Sequence, residues 1–270
     1  MMRYRQERVR QSEWLAFGYF LWVAGAGCVG TRPLVRRVRI ALAGVSMALV
    51  TLVVARFAPT ALRDWAPGPY VLIGYFLSGW LFTTPWVAME QWLAAWDARL
   101  LGDPTTRFAR WPRWFLAYLE LAYMSCFLVI PLGFLILQLT GHGDLADRYW
   151  TMVVAADFGA FAPLAFVQTR PPWALQPGVR LRDEGVHRVA TWFVRKGTIG
   201  ANTFPSGHVA VSLAVAFSVM GALPWVGLGF LIVALSIAVA CVVGRYHYVV
   251  DVFAGVALAL VVWVAVASTM

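Results

Sequence analysis

Val209–Val243 reads VAVSLAVAFSVMGALPWVGLGFLIVALSIAVACVV, with no Asp, Glu, Lys, Arg or His and an obvious break only at Pro224. Crossing a hydrocarbon core of about 30 Å as a helix takes roughly 20 apolar residues, and only helices and closed barrels satisfy their backbone groups inside a bilayer. The stretch therefore reads as two spanning helices folded back on each other at Pro224. His208, just before the pair, and Gly244, just after it, must then lie at the same membrane face.

Outward from this pair, six more apolar runs recur along the chain: Trp14 to Gly30, Ile40 to Phe57, Tyr70 to Met89, Trp114 to Leu139, Tyr149 to Val167 and Val249 to Val266. With Val209–Leu223 and Trp225–Val243 they make eight. The expected architecture is an all-α polytopic membrane bundle, with an N-terminal transmembrane hairpin over residues 1–66 and a six-helix catalytic core over 67–270. Pro67, Gly68 and Pro69 mark the boundary, and there is no internal repeat. Composition agrees. Hydrophobic residues make up 61% of the chain and charged residues only 13%, with a mean hydropathy of +0.70, a surface no soluble domain of this size would tolerate. The basic stretch and apolar run of Met1–Phe20 resemble a signal peptide, but a second apolar run comes soon after and favours an anchoring hairpin.

The net charge of +9 is carried by basic residues in the polar segments between runs, a pattern that fits lipid headgroups or phosphate and not nucleic acid. Cys28, Cys126 and Cys241 all lie in apolar runs without CxxC spacing, so no disulfide framework or zinc cluster is expected. Two polar connections are long enough for interfacial helices. In the first, Glu90 to Arg113, Trp92, Leu93 and Trp96 read as a face opposite Asp97 and Arg99, and Asp103-Pro104 reads as a stop. In the second, Thr169 to Pro205, Val186, Val189, Trp192 and Phe193 form an apolar stripe against His187, Arg188, Arg195 and Lys196.

Chemistry concentrates in three segments. Thr203-Phe204-Pro205-Ser206-Gly207-His208 opens an apolar helix with a capping Ser and a Gly that permits close approach of an anion to free backbone N–H groups. Gly244-Arg245-Tyr246-His247-Tyr248-Val249-Val250-Asp251 places His247 and Asp251 four residues apart, so the carboxylate reaches one imidazole nitrogen and strengthens the other as a nucleophile. Arg170 emerges on the same face, in Thr169-Arg170-Pro171-Pro172-Trp173. Arg170, Arg245, Ser206 and Gly207 are thus the expected phosphate-binding residues, and His247, His208 and Asp251 the catalytic ones, with His208 left as the acid that protonates a departing lipid oxygen. Two histidines and a carboxylate can also hold zinc, but a Pro-Ser-Gly helix start has no purpose there, so neither metal nor cofactor is expected.

These residues resemble the type 2 phosphatidic acid phosphatase superfamily, which includes lipid phosphate phosphatases, polyprenyl diphosphate phosphatases and inositol phosphorylceramide synthases. Pro205–His208 matches its Pro-Ser-Gly-His motif, His247–Asp251 its His-x-x-x-Asp motif, and the likeness runs from about Pro69 to Met270. It implies a phosphohistidine at His247, with His208 acting first as acid and then as base for water. Two positions depart from the pattern. Pro163 stands where the family carries a Lys and Cys241 where it carries an Arg, and Arg245 is the expected substitute for the latter. Arg-Pro-Pro-Trp and Tyr-His-Tyr look more like the phosphotransferase branch.

The leading expectation is a membrane phosphatase acting on a lipid phosphate or diphosphate, in a multi-pass bacterial inner-membrane protein whose site faces away from the cytoplasm. The alternatives are transfer of a phosphoryl or phospho-headgroup to an alcohol, and a non-catalytic lipid transporter. The resemblance implies the sidedness. Positive charge alone leans the other way, since Arg32, Arg36, Arg37, Arg39, Arg99, Arg107, Arg110 and Arg113 share the catalytic face, opposite Arg3, Arg5, Arg8 and Arg10. His142 and His187 read as ordinary polar residues. Glu120 and Asp157 lie inside apolar runs and read either as a proton or ion path, which supports the transporter, or as members of a buried polar network.

Overall fold

Leu223 and Pro224 form the break that the sequence requires. In the computed structural model, which describes residues 8–175 and 197–269, Leu223 ends one helix and caps the next, and Pro224 occupies the first helical position, where its missing N–H costs nothing. The helices are α1 (Gln11–Cys28), α2 (Leu34–Phe57), α3 (Thr60–Trp65), α4 (Pro67–Gly79), α5 (Val87–Leu101), α6 (Pro104–Phe108), α7 (Arg113–Leu139), α8 (Ala146–Phe161), α9 (Pro172–Leu175), α10 (Gly207–Ala222), α11 (Pro224–Val243) and α12 (Val249–Thr269). Among the described residues the chain is all-α, and its one β-type pairing is the single bridge between Thr169 and Asn202. The interfacial helix expected around Val186 to Lys196 lies outside the described residues.

Four helices, α2, α7, α11 and α12, are long and apolar enough to cross a membrane, and α10 is a shorter apolar helix. Large side chains on their outer faces, such as Val261 and Leu128, are 66% exposed, as befits a lipid-facing surface. The inner faces close around Phe20, Phe134, Leu137, Tyr149 and Trp150, all buried.

Polar contacts gather at the two ends of the bundle. At one end the Arg63 guanidinium grips Glu13 with both branches, at 2.7 and 2.8 Å, Arg10 meets Asp64 at 2.6 Å, and Asp147 accepts the Ser12 N–H and hydroxyl at 3.0 and 2.7 Å. At the other end Arg32 and Arg36 donate to the carbonyls of Leu81, Trp80 and Phe82, while Gln168 ties the turn after α4 to the segment that carries Arg170.

One expectation about the first interfacial segment is corrected. Glu90, Leu93 and Asp97 form the buried face of α5, so Asp97 lies on the same side as Leu93, while Trp92 is turned outward. The spacing i, i+3, i+7 puts those three on one stripe. The helix does end before Asp103-Pro104, at Leu101 with Gly102 as its cap, and the same pair then starts α6, with the Asp103 carboxylate accepting the Thr105 N–H at 3.0 Å. The run Tyr70 to Met89 is also divided, because α4 ends at Gly79 and α5 begins at Val87.

Close approach of backbones sets the α10–α11 hairpin. A Cβ on Gly227 would lie 2.3 Å from Met220 Cα, whereas one on Gly229, two residues on, would meet nothing within 4 Å. Gly227→Ala should therefore lower the denaturation midpoint of the detergent-solubilised protein, because the clash is with backbone that cannot rotate away. Gly229→Ala should leave it unchanged or raise it, since Ala exceeds Gly in helix propensity by about 1 kcal/mol. Equal midpoints for the two variants would refute this packing.

Candidate active site

Three chain segments meet at the end of the bundle where α8 finishes and α10 and α12 begin. Ser206 caps α10, its hydroxyl accepting the Val209 N–H at 3.5 Å, and its own N–H donates to the main-chain oxygen of Asp251 at 3.0 Å. That bond joins the start of α10 to the start of α12. Gly255 reinforces it, since a Cβ there would sit 2.8 Å from the Ser206 carbonyl oxygen. The third segment is stitched alongside: the Tyr248 hydroxyl donates to the Arg170 carbonyl at 3.2 Å, and the Trp173 N–H donates to the Arg245 carbonyl at 3.1 Å.

Within this junction His247 is buried, with Nδ1 3.4 Å from Asp251 Oδ2 and Nε2 3.4 Å from His208 Nδ1. Asp251 is wholly buried, and the same Oδ2 accepts the Tyr248 N–H at 2.9 Å, which holds the carboxylate in place from the loop side. On its other side His208 lies against Tyr123, with rings 4.8 Å apart and 19° from parallel, and Tyr123 in turn stacks on Tyr246 at 3.8 Å. The Tyr246 hydroxyl donates to Glu120 at 2.7 Å, so Glu120 belongs to a buried polar network that supports the site.

The two arginines expected to bind phosphate are held by acids of α5, a partnership that sequence reasoning missed. Glu90 receives Arg170 Nε at 3.0 Å, Nη2 at 2.8 Å and the Arg170 backbone N–H at 2.7 Å. Asp97 receives Arg245 Nη1 at 2.8 Å and the Val249 N–H, the first of α12, at 2.9 Å. The Arg170 hydrogen bonds hold the Glu90 carboxyl below its ordinary range, and Glu90 raises Arg170 in return. A lowered carboxylate keeps its stabilising charge above the ordinary Glu range and loses it only as pH falls through the lowered value, so this pair is ionised at neutral pH. Asp97 goes the other way. Burial pushes it up, against the pull of the Val249 N–H and Arg245.

Arg245 sits at φ 61°, in the left-handed region that favours glycine, directly after Gly244 caps α11. The Tyr246 and His247 N–H groups both return to the Cys241 carbonyl, at 2.9 and 3.0 Å. This tight turn swings the Arg245 side chain away from α11, while Cys241, at the family's usual Arg position, is enclosed in the core. Gly207 packs where a Cβ would come within 2.8 Å of Phe161, and its N–H faces the Thr203 hydroxyl at 3.3 Å. Pro163 lies in the 3₁₀ turn after α8, and Asp157, in α8, faces a cavity bordered by His208. All three cysteines are free, with Cys28 exposed at the end of α1.

An all-α bundle with spanning helices defines a polytopic membrane protein, and two histidines and an aspartate are in contact at one of its ends. Residues 91–265, more than half of the chain, match the PAP2 superfamily, and the chain belongs to that superfamily. With that membership and four helices long and apolar enough to cross a bilayer, this is an integral membrane protein. A segment of 59 residues is 46% identical to a PA-phosphatase related-family protein of Dictyostelium discoideum, covering 22% of this chain and 10% of that protein. The chain thus spans about a tenth of the length of that curated relative. No solved structure matches.

Removing the Asp97 carboxylate leaves the largely buried Arg245 guanidinium without its counter-ion and the Val249 N–H without its acceptor. Breaking a buried pair from one side typically costs about 3 kcal/mol or more. Asp97→Ala should accordingly destabilise the solubilised protein by about that amount, measured by thermal denaturation. Asp103→Ala, which removes an exposed cap, should cost about 1 kcal/mol. The tie is refuted if the two variants melt together.

Proposed function

We propose that the chain is a membrane phosphatase that hydrolyses a lipid phosphate or diphosphate ester through a phosphohistidine, with His247 as nucleophile, His208 as acid and base, and Asp251 as orienting carboxylate. The observation that carries this reading is the linear arrangement Asp251–His247–His208. One imidazole nitrogen of His247 faces a carboxylate fixed by the Tyr248 N–H, which leaves the other nitrogen as the one with a free electron pair.

In the first step His247 Nε2 bonds to phosphorus as the bond from phosphorus to the lipid oxygen breaks, and His208 delivers the proton that oxygen requires. In the second step His208 takes a proton from water, the water oxygen bonds to phosphorus, the P–N bond breaks and inorganic phosphate leaves. The 3.4 Å contact between His247 Nε2 and His208 Nδ1 opens to admit the phosphoryl group, while the 3.4 Å contact with Asp251 keeps the His247 ring oriented and tightens as charge develops on it. Arg170 and Arg245 supply cationic N–H groups for the phosphoryl oxygens, Arg245 with a buried Nε that has no partner among the described residues. Ser206 and Gly207 contribute the start of α10, and since their own N–H groups are taken by Asp251 and Thr203, what they offer the phosphate is the partial positive charge of the helix end.

The same reading extends to the membrane. Eight crossings would be made by α1, α2, α4, α7, α8, α10, α11 and α12, of which α2, α7, α11 and α12 have spanning length while the 16-residue α8 and α10 cover about 24 Å and the 13-residue α4 about 20 Å. Residues 1–66 would add a hairpin to a catalytic unit of 67–270, and the site would face the extracytoplasmic side. A site at the membrane surface whose walls are apolar helices favours a lipid substrate.

Assigning His208 to the leaving oxygen makes its importance depend on the leaving group. His208→Ala should reduce the first step with a lipid phosphate by about a hundredfold or more, because an alkoxide needs a proton. With p-nitrophenyl phosphate, whose phenolate departs unaided, the burst of p-nitrophenol should fall by less than about tenfold. Equal losses on both esters in single-turnover assays would mean that His208 does not protonate the leaving oxygen.

A further inference from the structure

Behind His208 lies a cavity of about 520 Å³ between α4, α7, α8 and α10, within the range of roughly 300–1,000 Å³ usual for small-molecule sites. Its walls are almost wholly apolar, formed by side chains such as Leu72, Phe127, Ile130 and Trp150. Polar groups gather near the start of α10, where Thr203, His208 and Asp157 line it. Asp157 Oδ1 lies 3.5 Å from where a Gly207 Cβ would be, beside the catalytic turn.

Asp157 is an exception in this bundle. Of the other buried acids, Glu13 has Arg63, Glu90 has Arg170, Asp97 has Arg245, Glu120 has Tyr246, and Asp251 has the Tyr248 N–H. Asp157 has no hydrogen bond among the described residues, although it is only 4% exposed and a buried polar group without a partner is costly. Its carboxyl group is aimed into the one part of the cavity that His208 also borders. His208 is therefore a shared wall, with His247 on one side and the cavity on the other.

We propose that the cavity seats the hydrocarbon chain of the substrate and that Asp157 selects a lipid bearing a hydrogen-bond donor, such as a hydroxyl, within a few bonds of its phosphate. This rests on the phosphatase reading above, which places the leaving lipid oxygen on the His208 side of the phosphorus. A chain attached to that oxygen then continues past His208 into the cavity, and a hydroxyl near its head passes Asp157. The donor satisfies the carboxyl group, whereas a lipid lacking it leaves the carboxyl unpartnered and newly sealed from water, the situation in which a site discriminates most strongly.

The experiment compares hexadecyl phosphate with 2-hydroxyhexadecyl phosphate, identical but for one hydroxyl, on the full chain in liposomes. Wild-type kcat/KM should favour the hydroxylated lipid by about tenfold or more, and in Asp157→Leu the ratio should fall to within about threefold of one. A wild-type ratio near one, or a ratio that survives the substitution, overturns the assignment of Asp157. A second measurement needs neither a variant nor turnover: hexadecyl phosphate carrying a diazirine midway along its chain, photolysed on the wild-type protein, should label Phe127, Ile130 or Trp150. Labelling confined to outward residues such as Val261 overturns the cavity. If the diazirine labels the cavity while neither lipid releases phosphate, the chain site stands and the phosphatase reading is what fails.

Discussion

Asp251 is the point on which the site depends. Its carboxylate holds the Tyr248 N–H and faces His247, while its main-chain oxygen accepts the Ser206 N–H, so one residue fixes the His247 ring and fastens the start of α10 to the start of α12. Both motifs are separated in sequence by the α10–α11 hairpin. Burial of Asp251 at the junction makes these bonds strong, because no water competes for them and any donor left unpaired would be penalised. The Gly255 contact completes the junction, letting α12 lie against the Ser206 backbone.

Electrostatics around that junction derive from its depth at the bundle end. A guanidinium as enclosed as that of Arg245 would be costly if left without a counter-ion. Glu90 and Asp97, both on the buried stripe of α5, offset the charges of Arg170 and Arg245 and also fix where the arginines point. A bidentate grip by Glu90 leaves Arg170 Nη1 for another acceptor, and Asp97 engages Arg245 through Nη1 alone. α5 is thereby part of the scaffold of the candidate site, not merely a membrane-surface element. Arg245 in its left-handed turn fits the same logic, an uncommon backbone conformation at the residue whose side chain Asp97 holds.

Much of this was legible from residue type and spacing. Apolar runs of spanning length announce helices because the bilayer permits little else, and the break at Pro224 brings His208 and His247 to one face by simple counting of passes. The four-residue spacing of His247 and Asp251 likewise encodes their meeting. What was not legible depends on which way a helix faces. Tryptophans on α5 suggested its buried side, yet Trp92 turns outward, as suits an amphipathic ring at a membrane surface, and the acids turn inward because the arginines are there. The stripe Glu90, Leu93, Asp97 was present in the sequence, but two acids flanking a leucine read as a solvated face until their partners are known. Gly207 was open to two uses, and its tight fit against Phe161 is a packing use that local sequence does not distinguish from an anion cradle. The partnership of Glu120 with Tyr246 likewise spans 126 residues and leaves no local trace.

The proposed hydrolysis requires a covalent bond between phosphorus and His247 Nε2. Purified protein mixed with ³²P-labelled lipid phosphate in excess EDTA and quenched within one turnover should carry label that is lost in acid and retained in base, and peptide mapping should place it on His247. Label on another residue, or release of labelled phosphate with no labelled protein at any quench time in His208→Ala as well as wild type, would contradict it.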